Sequence, residues 1–502
     1  MMLSPEPARS RSRPCGVKVT LLLAALTLGI GAEPSPAPLP PAPAGSAVKS
    51  PPPAALAVPA TGRGRGAGGK VFDPAKLHQV KVTIPRTEWD ILESETWVDR
   101  SRMGMAGVDS LEDDITRADG RIVHIGGGFG GNFPWVHTDM TVGGKTIQDA
   151  AFRYKGNGSY SPDAGMHRSI KVKTDLFGGK DDWDGLETIN FNSGGRDPSR
   201  TREAMAFAIF RLAGVPASRT AYAEVRYTVP GLHREAYGGI FTVIENVNKA
   251  FLKNALPPGT GLLMKPERMS GGVGYYGENW ANYTPYYRPE REATPAEAAR
   301  VIEFARLVNQ APIAEFRSRI ESYLDVDEFM RFLAVHALIH ASDSFLRGQH
   351  NFFIYLDPGD NRFRFIPWDL DGAMGSGGGG RGISNMGMLG IDLMMPSTIS
   401  LPYRLLSDAK SAERYQDVVR DIVAKAFNRA ALIPLVDKLE AVVDLPLTLE
   451  YNAMNSRGEF EGRGGGRGGG GGFGGGGLTP REFLEDRFIS VQQQMAGWGA
   501  KR

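Results

Sequence analysis

Residues His350–Gly375, "HNFFIYLDPGDNRFRFIPWDLDGAMG", read as two apolar strands joined by a tight turn. "NFFIYL" and "RFRFIPW" are rich in aromatic and β-branched residues, and Pro358-Gly359-Asp360-Asn361 supplies the turn chemistry between them. A hairpin brings its outer ends together, so this spacing puts Asn351 near Asp369, with Asp371 two residues further on. Asp343 ends the preceding helical stretch, "VDEFMRFLAVHALIHAS", which Asp325 caps. Carboxylates and an amide gathered at one end of a hairpin suit a hard divalent cation such as magnesium. A carboxylate left over can orient or deprotonate a hydroxyl. Asp and Asn also favour strand ends for their turn chemistry alone. The metal-site expectation therefore rests on the set Asp343, Asn351, Asp369 and Asp371, and on no single member of it.

Working back from the hairpin, the chain changes from helix-rich to strand-rich. "RTAYAEVRYTV" and "AYGGIFTVIENV" alternate with period two, the second ending in Glu245-Asn246. Before them a helix is expected, with Asp197 as N-cap, Pro198 at its first position and Gly214 as its stop. Two further strands, "KTIQDAAFRYKG" and "HRSIKVKTDLF", flank a glycine-bearing loop. In the second, Ile170 and Val172 face one way while Lys171 and Lys173 face the other. Lys171 could neutralise phosphate, and Glu203, on the helix, could fix its position. Taken alone, a solvated lysine face is the commoner meaning of such a pattern. "KGNGS" (Lys155, Gly156, Asn157, Gly158, Ser159) is a phosphate-loop candidate, because backbone amides of a glycine turn can face an anion. Gly126–Gly131, "GGGFGG", fits G-x-G-x-x-G but lacks the strand–turn–helix context that would give it meaning, and reads as a flexible insertion.

The chain's 502 residues and 41% hydrophobic content allow a sizeable core, and 58 basic against 56 acidic residues give no case for nucleic-acid binding. Cys15 is the one cysteine, which excludes an intramolecular disulfide and a cysteine metal site. Arg9, Arg11, Arg13 and Lys18 precede the short apolar run Val19–Ile30 and the small pair Gly31-Ala32, the pattern of a cleavable export signal over 1–32. The segment 33–69 is dominated by Pro, Ala and Gly and reads as a disordered linker. A strand-rich region over 70–248, a helical region with the hairpin over 249–458, a Gly-rich loop over 459–478 and a last helix over 479–502 complete the expected order. No segment of the mature chain is long and apolar enough to span a membrane. The eight histidines lack zinc spacing, and no G-x-S-x-G is present.

"AFRYKGNGSY", "SIKVKTDLF", "DPSRTREAMAFAIFRLAGVPASRTAYAEV", "YGGIFTVIENVNKAFLK", "SDSFLRGQHNFFIYLD" and "FIPWDLDGAMG", in this order, resemble the spore-coat protein H (CotH) kinase family from about Val71 to Leu447. The resemblance implies an α+β, atypical two-lobed protein-kinase-like fold and an exported enzyme. Such an enzyme transfers the γ-phosphate of ATP, with Mg2+ or Mn2+, to a Ser or Thr of a protein partner. It further implies that Lys171 contacts ATP with Glu203 as its helix partner, with Lys155 and Lys173 as neighbouring alternatives. Glu245 and Asn246 would lie where adenine sits. Asp343 would be the catalytic aspartate, Asn351 and Asp369 metal ligands, and Asp371 their assistant. Two other functions stay open: a non-catalytic surface or matrix binding protein on the same scaffold, and a metal-dependent glycosyltransferase using Asp369-Leu370-Asp371 as a D-x-D motif.

Overall fold

Alternating strands in the first half and capped helices in the second fold into an α+β chain. The computed structural model describes residues 66–98, 113–125, 131–156, 160–195, 197–266, 272–346, 349–374, 392–394, 399–459 and 478–499. The expected export signal, the linker up to residue 65, the glycine loop at 126–130 and most of the Gly-rich stretch, 460–477, lie outside the described residues. In chain order the strands are β1 (Leu77–Thr83), β2 (Trp97–Val98), β3 (Asp113–Thr116), β4 (Ile122–Ile125), β5 (Gly131–Pro134), β6 (Val136–Val142), β7 (Lys145–Tyr154), β8 (Ile170–Lys173), β9 (Thr188–Asn192), β10 (Thr220–Val229), β11 (His233–Glu245), β12 (Leu262–Met264), β13 (Phe352–Asp357) and β14 (Arg362–Pro367). The helices are α1 (Arg86–Glu95), α2 (Arg202–Leu212), α3 (Lys249–Ala255), α4 (Thr284–Tyr287), α5 (Pro295–Asn309), α6 (Ile313–Arg319), α7 (Val326–Leu338), α8 (Ser400–Leu405), α9 (Ala409–Lys425), α10 (Arg429–Ser456) and α11 (Pro480–Gly499).

Seven strands close into a barrel in the order β1-β10-β11-β9-β8-β7-β6. Closure depends on β1, which pairs in parallel with β10 from Leu77↔Tyr222 to Thr83↔Thr228 and antiparallel with β6. Period-two alternation fills the interior: Val80, Val82, Phe152, Val172, Phe191 and Val243 belong to one buried cluster. The opposite parity faces outward, so Arg153, Lys171 and Asn190, paired rung to rung on β7, β8 and β9, share the outer face. On β10 and β11 that outer face is buried and mixes apolar residues with Thr220, Glu224 and Thr242. Tyr222, Ile240 and Ile244 join α2 and the C-terminal helices in a second core.

The predicted hairpin forms as β13 and β14, in register from Phe352↔Pro367 to Asp357↔Arg362, and β12 adds a third strand beside β13. Thr294 and Glu297 make a full capping box on α5, and Asp325 caps α7 by accepting from the Glu328 amide at 3.0 Å. Within the helical region expected over 249–458, the stretch from Arg414 to Leu447 holds two helices, because the Asn428 side chain accepts from the Ala431 amide and starts α10 afresh. One detail differs from the sequence reading. The helix expected to start at Pro198 starts at Arg202 instead. Asp197 organises a tight turn ahead of it, accepting from the Ser199 and Arg202 amides. Arg200, at φ +59°, turns the chain while its guanidinium donates to Gly194 O and Asp197 O.

The buried face of α10 carries one ionised group to the barrel. Glu450 accepts from Arg200 Nη2 at 2.5 Å and from the Ile240 amide at 2.9 Å, and lies 3.1 Å from His167 Nε2. Gly239, at φ +119°, leaves room for it; a Cβ there would lie 2.6 Å from the carboxylate. The residues described all belong to one compact unit, Ala54–Arg502, and among them no helix is long and apolar enough to cross a membrane.

Candidate active site

Hairpin geometry brings the ends of β13 and β14 together as expected: the Trp368 amide donates to Asn351 O at 3.0 Å. Asp343 joins them from the end of the α7 segment. Asn351 Nδ2 donates to Asp343 O at 2.8 Å, and Ser342 donates from N and Oγ to Gly372 O at 3.2 and 2.9 Å. Gly372 is required for that approach, since a Cβ there would meet the Asp343 Cβ at 3.2 Å. The support beneath is apolar and stiff. Phe345, two residues after Asp343, and Phe352, next to Asn351, pack edge to face at 5.0 Å within the core formed with Phe329, Phe332 and Phe365. Asn351 and Asp369 both hold left-handed backbone, at φ +62° and +51°. Such conformations cost free energy and persist only where their surroundings impose them.

Trp368 carries this group to α2. Its ring lies 6.5 Å from Phe207, one turn beyond Glu203, and 5.6 Å from Phe353. Glu203, only 3% exposed, then lies close enough to Asp369 and Asp371 to feel their charge. Burial first, and those two carboxylates next, push the Glu203 carboxyl well above its ordinary value. An amine linked to Glu203 is Lys155. Its Nζ donates to Asn192 Oδ1 at 2.6 Å, and Asn192 Nδ2 donates to both Glu203 oxygens at 2.9 and 3.2 Å. Burial lowers the Lys155 amine, and Asp369 and Glu203 act against that lowering. Lys265, after β12, is among the cations acting on Lys155.

The sequence reading paired Glu203 with Lys171 and placed Lys155 on a phosphate loop. In the fold Lys155 reaches Glu203 through Asn192, and Lys171 lies further along the same outer face, between Arg153 and Asn190 in register. Lys173 is held elsewhere, donating to Asp114 at 2.9 Å beside Trp135. Gly156 turns the chain at φ +111°, while Gly158 and Ser159 lie outside the described residues. The Glu245 carboxylate is occupied by Arg219, accepting from Nε at 2.9 Å and Nη2 at 2.6 Å, and its amide donates to Arg219 O at 3.0 Å. Asn246 accepts from Asn190 Nδ2 at 3.1 Å, which places it at the edge of the polar outer face. A cavity of about 880 Å³, lined by Arg219, Asn248 and Lys253 among others, opens beside this segment and contains none of the acids described above.

Sequence reasoning missed Asn192, Lys265 and His350. The "TINFN" alternation of β9 does place Asn190 and Asn192 on the polar face, and that was the signal available for Asn192. His350 Nε2 lies 3.0 Å from Asp343 Oδ1, and this hydrogen bond holds the imidazole above its ordinary value. Among the described residues no three His, Cys, Asp or Glu side chains form a metal cluster by themselves. A cation here would take two carboxylates, an amide and oxygens from its ligand, a donor set that suits magnesium better than zinc.

The raised Glu203 carboxyl has a measurable consequence. Folded, it keeps its proton to higher pH than in the unfolded chain, so its contribution to stability is full below about pH 4.5 and is lost as pH rises through the folded value. Melting of the ligand-free protein between about pH 5 and about pH 8 should therefore fall more steeply than melting of Glu203→Gln. Parallel curves would show that Glu203 is ionised throughout.

A family model described as CotH kinase protein matches residues 152–464, more than half of the chain. The chain belongs to the CotH kinase family. The match starts within β7, three residues before Lys155, and takes in every residue of the site described above; it leaves out β1 to β6 and α11. Inner spore coat protein H of Bacillus subtilis (strain 168) is 22% identical over 265 residues, 50% of this chain. The match spans 66% of that protein, just under two thirds of its length. Family membership therefore makes a kinase-like chemistry the first to weigh for this CotH-family site.

Proposed function

We propose that this chain is an exported atypical kinase that transfers the γ-phosphate of ATP to a Ser or Thr hydroxyl of a protein, with Mg2+ or Mn2+. The observation that carries the reading is the Lys155–Asn192–Glu203 chain of hydrogen bonds standing against Asp369 and Asp371. A protein that places two carboxylates beside a third, buried one raises its own electrostatic energy, and a bound cation lowers it again. Asp369, Asp371 and Asn351 would hold the metal. Lys155 would neutralise phosphate oxygens while Glu203, through Asn192, keeps it in place. The polar outer face of Lys171, Asn190 and Asn246 would border the nucleoside. Asp343 would orient the acceptor hydroxyl, with His350 fixing its carboxylate. ATP supplies the phosphoryl group, and the cation offsets its charge. On this reading the barrel and the helical part are the two lobes of a kinase-like fold. The relative's name, a spore coat protein, and the export-signal pattern both point to an envelope or extracellular location.

Transfer from labelled ATP, measured as self-phosphorylation with each metal, tests the reading and decides between the lysines. Lys155→Met should lower the rate by about 100-fold or more, whereas Lys171→Met should cost about tenfold or less. Full activity in Lys155→Met would remove the lysine from the mechanism. Transfer from a sugar nucleotide in place of ATP would replace the kinase with a glycosyltransferase.

A further inference from the structure

The family match ends before the last helix, yet two buried arginines tie that helix to the site. Arg487, 0% exposed on α11, donates from Nε to Leu338 O at 3.2 Å and from Nη2 to Ala337 O at 3.1 Å. These carbonyls end α7; Ala337 O also accepts from the His340 amide at 3.2 Å, and Arg487 adds a side-chain donor to each. Five residues after Leu338 comes Asp343. Between them Ile339 O accepts from the Met374 amide at 2.7 Å, and Ser342 is bonded to Gly372 O. The ends of the Asp343 and Asp371 segments are thus laced together over the carbonyls that Arg487 holds.

Arg202 makes the matching connection from α2. It sits next to Glu203, pairs with Asp197 at 3.1 Å, and donates to Met374 O and Leu478 O, both at 2.6 Å. Leu478 is the residue from which the chain enters α11. Further along α11, Gln494 Oε1 accepts from the Leu393 amide at 2.8 Å, so the same helix also grips the chain beyond Met374. Phe483, Leu484 and Val491 bury α11 in the main core, which makes it a fixed support.

We infer that α11 is a positioning element for phosphoryl transfer, with Arg487 setting the placement of Asp343 and Arg202 joining α11 to the helix of Glu203 and to the segment after Asp371. This rests on the kinase reading for its rate arm only. Because Arg487 acts on the backbone carbonyls of Ala337 and Leu338, which are not among the residues proposed to hold nucleotide or metal, its loss should misplace the acceptor-orienting aspartate while leaving ATP binding intact. A shift of about 1 Å at a reacting group can cost up to about 100-fold in rate. Burial lowers the guanidinium only to about 10, so it stays charged at neutral pH and keeps its donors.

The test uses the full chain carrying Arg487→Met, Arg487→Lys or Gln494→Ala, with self-phosphorylation followed against ATP concentration and amide hydrogen exchange measured without ligand. Expected for Arg487→Met is a maximal rate down about tenfold or more, with half-saturating ATP within about threefold of wild type. Exchange should accelerate at 339–343 and 372–374 but not in β7 to β9. Arg487→Lys should recover part of the rate, since it restores a charged donor of similar length. Gln494→Ala, at a half-buried position that tolerates truncation, should loosen 392–394 and serves if Arg487→Met does not fold. Unchanged rate and exchange in Arg487→Met, or acceleration spread evenly into the barrel, would overturn the inference. Should the wild type transfer no phosphate, the kinase reading falls, and the exchange pattern still decides whether α11 positions the Asp343 segment.

Discussion

Asp369→Asn is expected to reduce phosphoryl transfer by about 1000-fold or more while the melting temperature of the ligand-free protein stays level or rises. The two halves of this prediction share one cause. Asp369 is exposed, and its charge, with that of Asp371, bears on buried Glu203. Without a cation, the charges of Asp369 and Asp371 disfavour ionisation of the buried Glu203 and repel each other, so neutralising one relieves the folded state. With a cation, the same substitution removes a ligand and the charge that offsets it. Asparagine is the instructive replacement because it tolerates the left-handed backbone at this position, φ +51°, better than most residues, so the loop keeps its shape. A marked drop in melting temperature would show that Asp369 is structural; undiminished transfer would remove it from the metal site.

The largest effect on stability is expected at Glu450. Glu450→Ala should destabilise the protein by about 3–5 kcal/mol, read from the denaturation midpoint, because it strips the partner from a buried guanidinium. Glu450 is 1% exposed and Arg200 2%. Burial opposes ionisation of Glu450, but His167 and Arg200 outweigh it and hold the carboxyl below its ordinary value. The substitution also leaves the Ile240 amide without its acceptor. Since Arg200 shapes the turn that starts α2, the loss should spread to the placement of Glu203. Glu450→Gln keeps an acceptor for Ile240 and should lose less. Equal stability of Glu450→Ala and wild type would mean that this buried network contributes nothing net to folding.

What could be read from the chain follows from how local each decision is. The convergence of Asn351 with Asp369 was legible because a hairpin's register follows from its turn and its alternating pattern, both within one short stretch. Asp343 was legible as a helix-end residue, but its distance from Asp371 depends on Gly372 allowing close approach. The link from Lys155 through Asn192 to Glu203 was not legible. Lys155 and Lys171 both lie on the outer face of the barrel, and the approach of Glu203 depends on where α2 crosses that face. Trp368 against Phe207, a contact between residues far apart in sequence, is part of what holds α2 there. Barrel closure was hidden for the same reason, since β1 pairs in parallel with a strand from the middle of the chain and no turn announces it. Asp197 misled because Asp-Pro is a good helix start in isolation; the side chain instead serves Arg202 and the turn before it.

The central claim is that folding gathers these acids and one amine around a cation-bound triphosphate. Calorimetric titration of the full chain with Mg2+ and ATP together addresses it most directly. The account predicts saturable binding of about one nucleotide per chain, absent for ATP without metal and lost in Asp369→Asn. Absence of heat with any metal–ATP combination, or equal binding by wild type and Asp369→Asn, would contradict it.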